Sequence, residues 1–188
     1  MLNYFKFIEI LISLQSIFIS SMIPFIFTIP FSNNIKYSLE LPITLQVPVI
    51  ILLSIVFKSR VVFSALTIYL LLGLFIIPVF HDGGSLGYLL SPNFGYLIGY
   101  YPLIKTINYL NKNKKIYIFN FLKISMLAIV FMHITGISYS FIQIIYYKHF
   151  NIFLYNLGNY TIGMIGYHFL MLIPIVLLIK PINYLKNI

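Results

Sequence analysis

Six apolar runs, joined by connections too short to hold a soluble domain, constrain this chain more than any other feature. A helix needs about 20 apolar residues to cross a bilayer, so six crossings use up nearly all of the 188 residues. The runs predict helices over about Phe7 to Ile29, Pro42 to Phe57, Val61 to Val79, Asn93 to Leu110, Ile116 to Ile137 and Leu157 to Ile179. The second is short for a crossing, so it is tilted, buried or entered through an irregular segment. The Tyr-rich stretch from Ser138 to Asn156, interrupted by Lys148 and His149, reads as an interfacial helix. The fold class is therefore all-α: a polytopic membrane protein of six transmembrane helices, organised as one unit over residues 1–188.

Charge supports this reading. Only 8% of residues are charged, against about 25% in a soluble domain. The net charge is +9, and such an excess often points to nucleic acid. Here the basic residues sit at the ends of apolar runs, so membrane lipid is the expected neighbour and nucleic acid is not. With the N-terminus inside, the inner side holds Lys6, Lys58, Arg60, Lys105, Lys112, Lys114, Lys115, Lys123, Lys180 and Lys186, and the outer side Lys36 and Lys148. This bias predicts a multi-pass protein with both termini in the cytoplasm. Trp is absent, and 16 Tyr residues fill its interfacial role. The first run lacks a small-residue cleavage site, so no signal peptide is expected.

Little in the chain supplies catalysis. There is no cysteine, no GxxxxGK[ST] phosphate loop and no HExxH. The only acids are Glu9, Glu40 and Asp82. The four His residues lack metal-ligand spacing. The chain is expected to be no enzyme, to hold no cofactor and no metal, and to work by binding or transport.

The loop from Pro78 to Pro102 is the first binding candidate. Gly83, Gly84 and Gly87 let its backbone turn and lie close to another surface. Non-helical backbone beside lipid is tolerated only when buried or lining a polar cavity. Asp82 offers an acceptor for ligand N–H groups. A tight turn with Asp82 exposed fits the same residues. Gly95 and Gly99 form a GxxxG, which points first to close helix packing. Tyr96 between them adds a ring and a hydroxyl. Thr44 caps the second helix or meets a ligand, and Gln46 places an amide at membrane depth, where it needs a partner. His168, beside Gly166 and Tyr167, is an intramembrane ionisable group and so a candidate. His133 reads as a neutral ring bonded to a backbone carbonyl. Ser16 and Ser20, with Ser13 and Ser21 nearby, make a small-residue stripe suited to close approach of another helix.

Three segments carry a family resemblance. Leu41-Pro-Ile-Thr-Leu-Gln resembles a PITLQ segment. Tyr69-Leu-Leu-Leu-Gly-Leu, followed by Pro78-Val-Phe, resembles YLLLGxxGLPVF. Ser91-Pro-Asn-Phe-Gly-Tyr-Leu-Ile-Gly-Tyr resembles GPTGGYLIGF. Their order and spacing resemble the BioY family, the biotin-specific S components of energy-coupling factor (ECF) transporters. The resemblance implies a six-helix subunit in a prokaryotic cell membrane that captures biotin from outside and delivers it inward. It implies ligand contacts at Thr44, Gln46, Gly83, Gly84, Asn93, Gly95 and Tyr96. It also implies a transmembrane T component and ATPase subunits as partners, approached through the Ser16 and Ser20 face of helix 1. Asp82, Tyr167 and His168 complete the candidate ligand set. The sequence departs from the family pattern where His168 replaces an Asp, Met171 replaces a Lys, and Phe94 fills a glycine position. Those changes leave room for another small vitamin-like solute, and a membrane enzyme using His168 or Asp82 as base is a further alternative.

Overall fold

A computed structural model describes residues 2–31, 35–80, 83–112, 115–147 and 150–186. Six helical runs form the bundle, and a β-hairpin lies between the first and second. Helix α1 (Leu2–Met22) stops two residues before Pro24, short of the expected Ile29. Strands β1 (Pro24–Phe31) and β2 (Ile35–Thr44) follow and pair antiparallel, Phe27 opposite Leu39 and Thr28 opposite Ser38. Both strands are edges, so Pro24, Pro30 and Pro42 withhold no donor that an interior strand would need. This hairpin is a correction to the helical reading of residues 23–29 and 42–44.

Helix α2 (Gln46–Val56) is short because it is buried. Most of its side chains are enclosed by protein, and a helix apolar on all faces belongs in an interior. A tight link at Phe57 and Lys58 leads into α3 (Ser59–Phe75). The fourth run is α4 (Pro92–Ile98) and α5 (Tyr100–Ile107), jointed at Gly99. Pro102 has no N–H to offer the carbonyl of Ile98, which is where α4 ends.

Helix α6 (Ile118–Tyr147) is 30 residues long. At 1.5 Å per residue it extends about 45 Å, well beyond a hydrocarbon core of about 30 Å. Its inward stripe is Phe121, Ser125, Ala128, Ile129, Met132, His133 and Ser140, at helical spacing. The last run comprises α7 (Phe150–Asn156), a π-helical turn (Leu157–Ile162), α8 (Gly163–Leu170) and α9 (Leu172–Lys186). Pro174 breaks it after Leu170 by the spacing that Pro102 uses after Ile98. The expected interfacial helix over Ser138 to Asn156 is therefore corrected: those residues are the adjoining ends of two long helices.

Among the described residues, three stretches are long and apolar enough to cross a membrane: Tyr4–Met22, Ile118–Ile145 and Phe150–Tyr184. The shorter α2 and α3 are held within the bundle, where α1 packs on both and α5 packs on α2 and α6. The hairpin marks one end of the bundle and the two termini mark the other. At the termini end, Asn183 holds Ile116 by a pair of bonds. Its Oδ1 accepts from the Ile116 N–H and its Nδ2 donates to the Ile116 carbonyl, each at 2.8 Å.

The small residues of α1 turn inward. Ser13, Ser20 and Ser21 are buried within the chain, and Ser21 donates to the Val79 carbonyl at 3.2 Å. Ser16 donates to Ile12 of its own helix. Ser16 and Ser20 thus do not form one outward stripe, which corrects the expected partner face. The outward face of α1 carries Tyr4, Phe5, Phe7, Ile8, Leu11 and Ile12 instead.

Candidate functional site

The polar groups that matter lie toward the hairpin end. The connection after α3 folds back on itself there. Phe80 and Gly83 exchange backbone bonds at 2.8 and 2.9 Å, and Gly83 takes φ +113°, a conformation that favours glycine. Gly84 is pressed against the Gly73 carbonyl and the Pro78 backbone, where an added Cβ would stand 2.6 Å away. The next residue, Ser85, holds φ 136°, donates its N–H to the Gly73 carbonyl, and accepts from Gly87 N–H. A 3-10 turn (Leu86–Leu90) follows and is tied to α6. Tyr139 donates to the Leu89 carbonyl and Gln143 to the Leu90 carbonyl. Rings of Tyr69, Phe80, Tyr88, Phe94 and Tyr139 run in contact across this end.

Beneath this cover are two polar clusters. In the first, Gln46 at the start of α2 is 5% exposed, and its Oε1 accepts from the Tyr100 hydroxyl at 3.1 Å. Its Nε2 has no hydrogen-bond partner among the described residues. The Tyr69 hydroxyl interacts with the same side chain, and a buried amide N–H without a full hydrogen bond is a candidate donor to a ligand.

In the second cluster, the Tyr96 hydroxyl meets Thr161 Oγ1 at 2.6 Å. The Tyr96 and His133 rings form a T-shaped pair, 5.6 Å between centroids, and Tyr96 also lies close to Tyr160. His133 Nε2 is 3.1 Å from His168 Nδ1, joining α6 to α8. This corrects the reading of His133, whose partner is a second imidazole and no backbone carbonyl. Two turns along α6, Ser140 lines a cavity of about 240 Å³ with Leu90, Gln143, Phe153 and Asn156. The cavity opens beside the π-helical turn, an element often found at functional sites.

The candidate residues therefore divide. Gln46 is buried with its Nε2 short of a full hydrogen bond, and Tyr96 and His168 share the second cluster. Gly83 and Gly84 shape the cover. Gly95 is a packing residue, since a Cβ there would meet Tyr139 at 2.4 Å; Gly99 lies against Met132 in the same way. Asn93 is half-buried in the first turn of α4, its N–H bonded to Ser91 Oγ. Thr44 ends β2 and caps nothing, because Leu45 takes the N-cap position without a side-chain bond. Tyr167 is half-buried on α8, and Asp82 lies outside the described residues. Sequence reasoning missed Tyr100, Thr161 and the partnership of His133 with His168.

A larger cavity of about 580 Å³ lies between α5 and α6, lined by Pro102, Lys105, Thr106, Tyr109, Ile124, Leu127 and Phe131. None of the candidate residues lines it. Among the described residues, no three His, Cys, Asp or Glu side chains come close enough to hold a metal ion.

The fold matches a crystal structure at 2.1 Å of the S-component for biotin from an ECF-type ABC transporter. The TM-score is 0.68 and the sequence identity 19%, covering 99% of this chain and 93% of that chain. The class is thus a helical membrane bundle of S-component fold. No curated protein matches the sequence. The BioY family matches over residues 6–180, and the chain belongs to the BioY family.

Proposed function

We propose that the chain is the biotin-capturing membrane subunit of an uptake system, acting as a single unit over its whole length. Family membership carries the reading. The buried polar clusters at the hairpin end support it. Biotin offers a ureido ring with one carbonyl acceptor and two N–H donors. Gln46 Nε2, the Tyr96 hydroxyl and the His168 ring supply groups that can meet that pattern, with Asn93 and Tyr167 at its border. Thr44, Gly83 and Gly84 belong to the cover over it, and Asp82 offers an acceptor for a ligand N–H.

The hairpin end faces outward in this reading, because ten of the twelve Lys and Arg residues sit on the opposite side. Both termini are cytoplasmic. Solute enters at the hairpin end and leaves at the termini end. The chain has no phosphate-binding loop, so energy comes from separate ATPase subunits through a transmembrane T component. The exposed apolar face of α1 suits that helix-to-helix contact. The function is binding and transport and no catalysis.

Saturable, competable biotin binding to purified protein in lipid nanodiscs tests the proposal; folded protein that binds no biotin contradicts it. One observation favours a second reading. Met171, where the family pattern has a Lys, is buried at 2% exposure and apolar. A solute without a carboxylate suits that position better. Mass spectrometry of the solute that copurifies separates the two.

A further inference from the structure

His133 and His168 are 2% and 9% exposed, with Nε2 of the first 3.1 Å from Nδ1 of the second. Two protonated rings would set cations in an apolar interior and face donor to donor, so the rings are taken as neutral and share one proton in the contact. Two arrangements satisfy the bond. In one, His133 donates from Nε2, its Nδ1 holds only a lone pair, and His168 carries its proton on Nε2. In the other, His168 donates from Nδ1, its Nε2 holds the lone pair, and His133 carries its proton on Nδ1.

The far nitrogen of His133 decides between them. Its Nδ1 is buried and meets no hydrogen-bond partner among the described residues. In the second arrangement it is a buried N–H with no acceptor. In the first it is an unused lone pair. Folded proteins tolerate under-used acceptors better than orphaned N–H donors. The first arrangement leaves Nε2–H as the free group of His168.

We propose that His133 is a positioning residue that fixes His168 as an Nε2–H donor, so that His168 recognises a carbonyl oxygen of the solute rather than an N–H. The recognition step rests on the solute-capture reading; the proton placement does not. Ser140, seven residues from His133 on the same face of α6, is also buried with an unpartnered hydroxyl.

The proton placement is read from ligand-free protein labelled with 15N-histidine, with resonances assigned through His133→Gln and His168→Gln. The expected result is protonated Nε2 and bare Nδ1 on both rings. A proton on Nδ1 of His168, or on both its nitrogens, overturns the proposal whether or not biotin binds. The recognition step is read from binding. His133→Leu is expected to lose about ten-fold in biotin affinity, and His133→Gln to recover most of it, because its amide N–H again donates to His168 Nδ1. A biotin analogue whose ureido carbonyl is replaced by a protonated imine offers only donors and is expected to bind at least about ten-fold more weakly than biotin. Wild-type affinity in the Leu variant, or equal binding of the analogue, overturns the recognition step. A wild-type protein that binds no biotin refutes the proposed function, and the nitrogen assignment still decides the role of His133.

Discussion

Gly136 of α6 lies directly against the ring of Tyr96 of α4: a Cβ built on Gly136 falls 2.4 Å from that ring. The absence of a side chain at 136 thus lets Tyr96 reach Thr161. Gly136→Ala is expected to push the ring aside and cost about 1–3 kcal/mol, the usual range for overpacking. Gly158→Ala, which meets nothing within 4 Å, should leave stability almost unchanged. Thermal unfolding in detergent compares the two. Equal melting points would show that the close packing at Gly136 is not tight.

Gln46 and Tyr100 give a separable prediction. Gln46→Leu orphans the Tyr100 hydroxyl, and a buried unsatisfied group costs about 1–3 kcal/mol. Adding Tyr100→Phe removes the orphan, so the double variant should be more stable than Gln46→Leu alone. Solute binding should stay impaired, because the free Nε2 donor is gone from both. Denaturation and binding on the same three proteins check it. Full binding by the double variant would remove Gln46 from the site.

Ser85 sits at φ 136°, a strained conformation for a residue with a side chain. Ser85→Gly should raise stability by about 1 kcal/mol, since the strain relieved outweighs one exposed bond to Gly87. Ser85→Val should lower it. Unfolding midpoints measure both. A destabilised Gly variant would mean that the hydroxyl outweighs the backbone term.

How much of this was legible in the sequence follows from what each signal senses. The six runs were readable because length and apolarity are local. The role of Gly95 and Gly99 was readable too, since GxxxG has a packing meaning of its own. The end of α1 at Met22 was not foreseen, although Pro24 marks it, because residues 25–29 are as apolar in a strand as in a helix. The reach of α6 to Tyr147 was hidden for a related reason. In a membrane the lipid-facing side is also apolar, so periodicity does not show where a helix stops. Gln46 and His168 announced themselves as polar groups in apolar runs. Their partners Tyr100 and His133 are set by contacts between distant segments, which no single-segment pattern records.

The orientation follows from charge and is checked by labelling. The chain contains no cysteine, so a single introduced thiol reports without background. Gly87 is exposed at the hairpin end and Lys58 is exposed at the termini end. In intact cells, Gly87→Cys should react with a membrane-impermeant maleimide and Lys58→Cys should react only after lysis. The reverse pattern would invert the topology.

The most direct test of the central claim is equilibrium binding of radiolabelled biotin to the purified chain in lipid nanodiscs, without partner subunits. One saturable site per chain, displaced by unlabelled biotin and weakened by His168→Leu, is the predicted result. A correctly folded chain that shows no displaceable biotin would contradict the account.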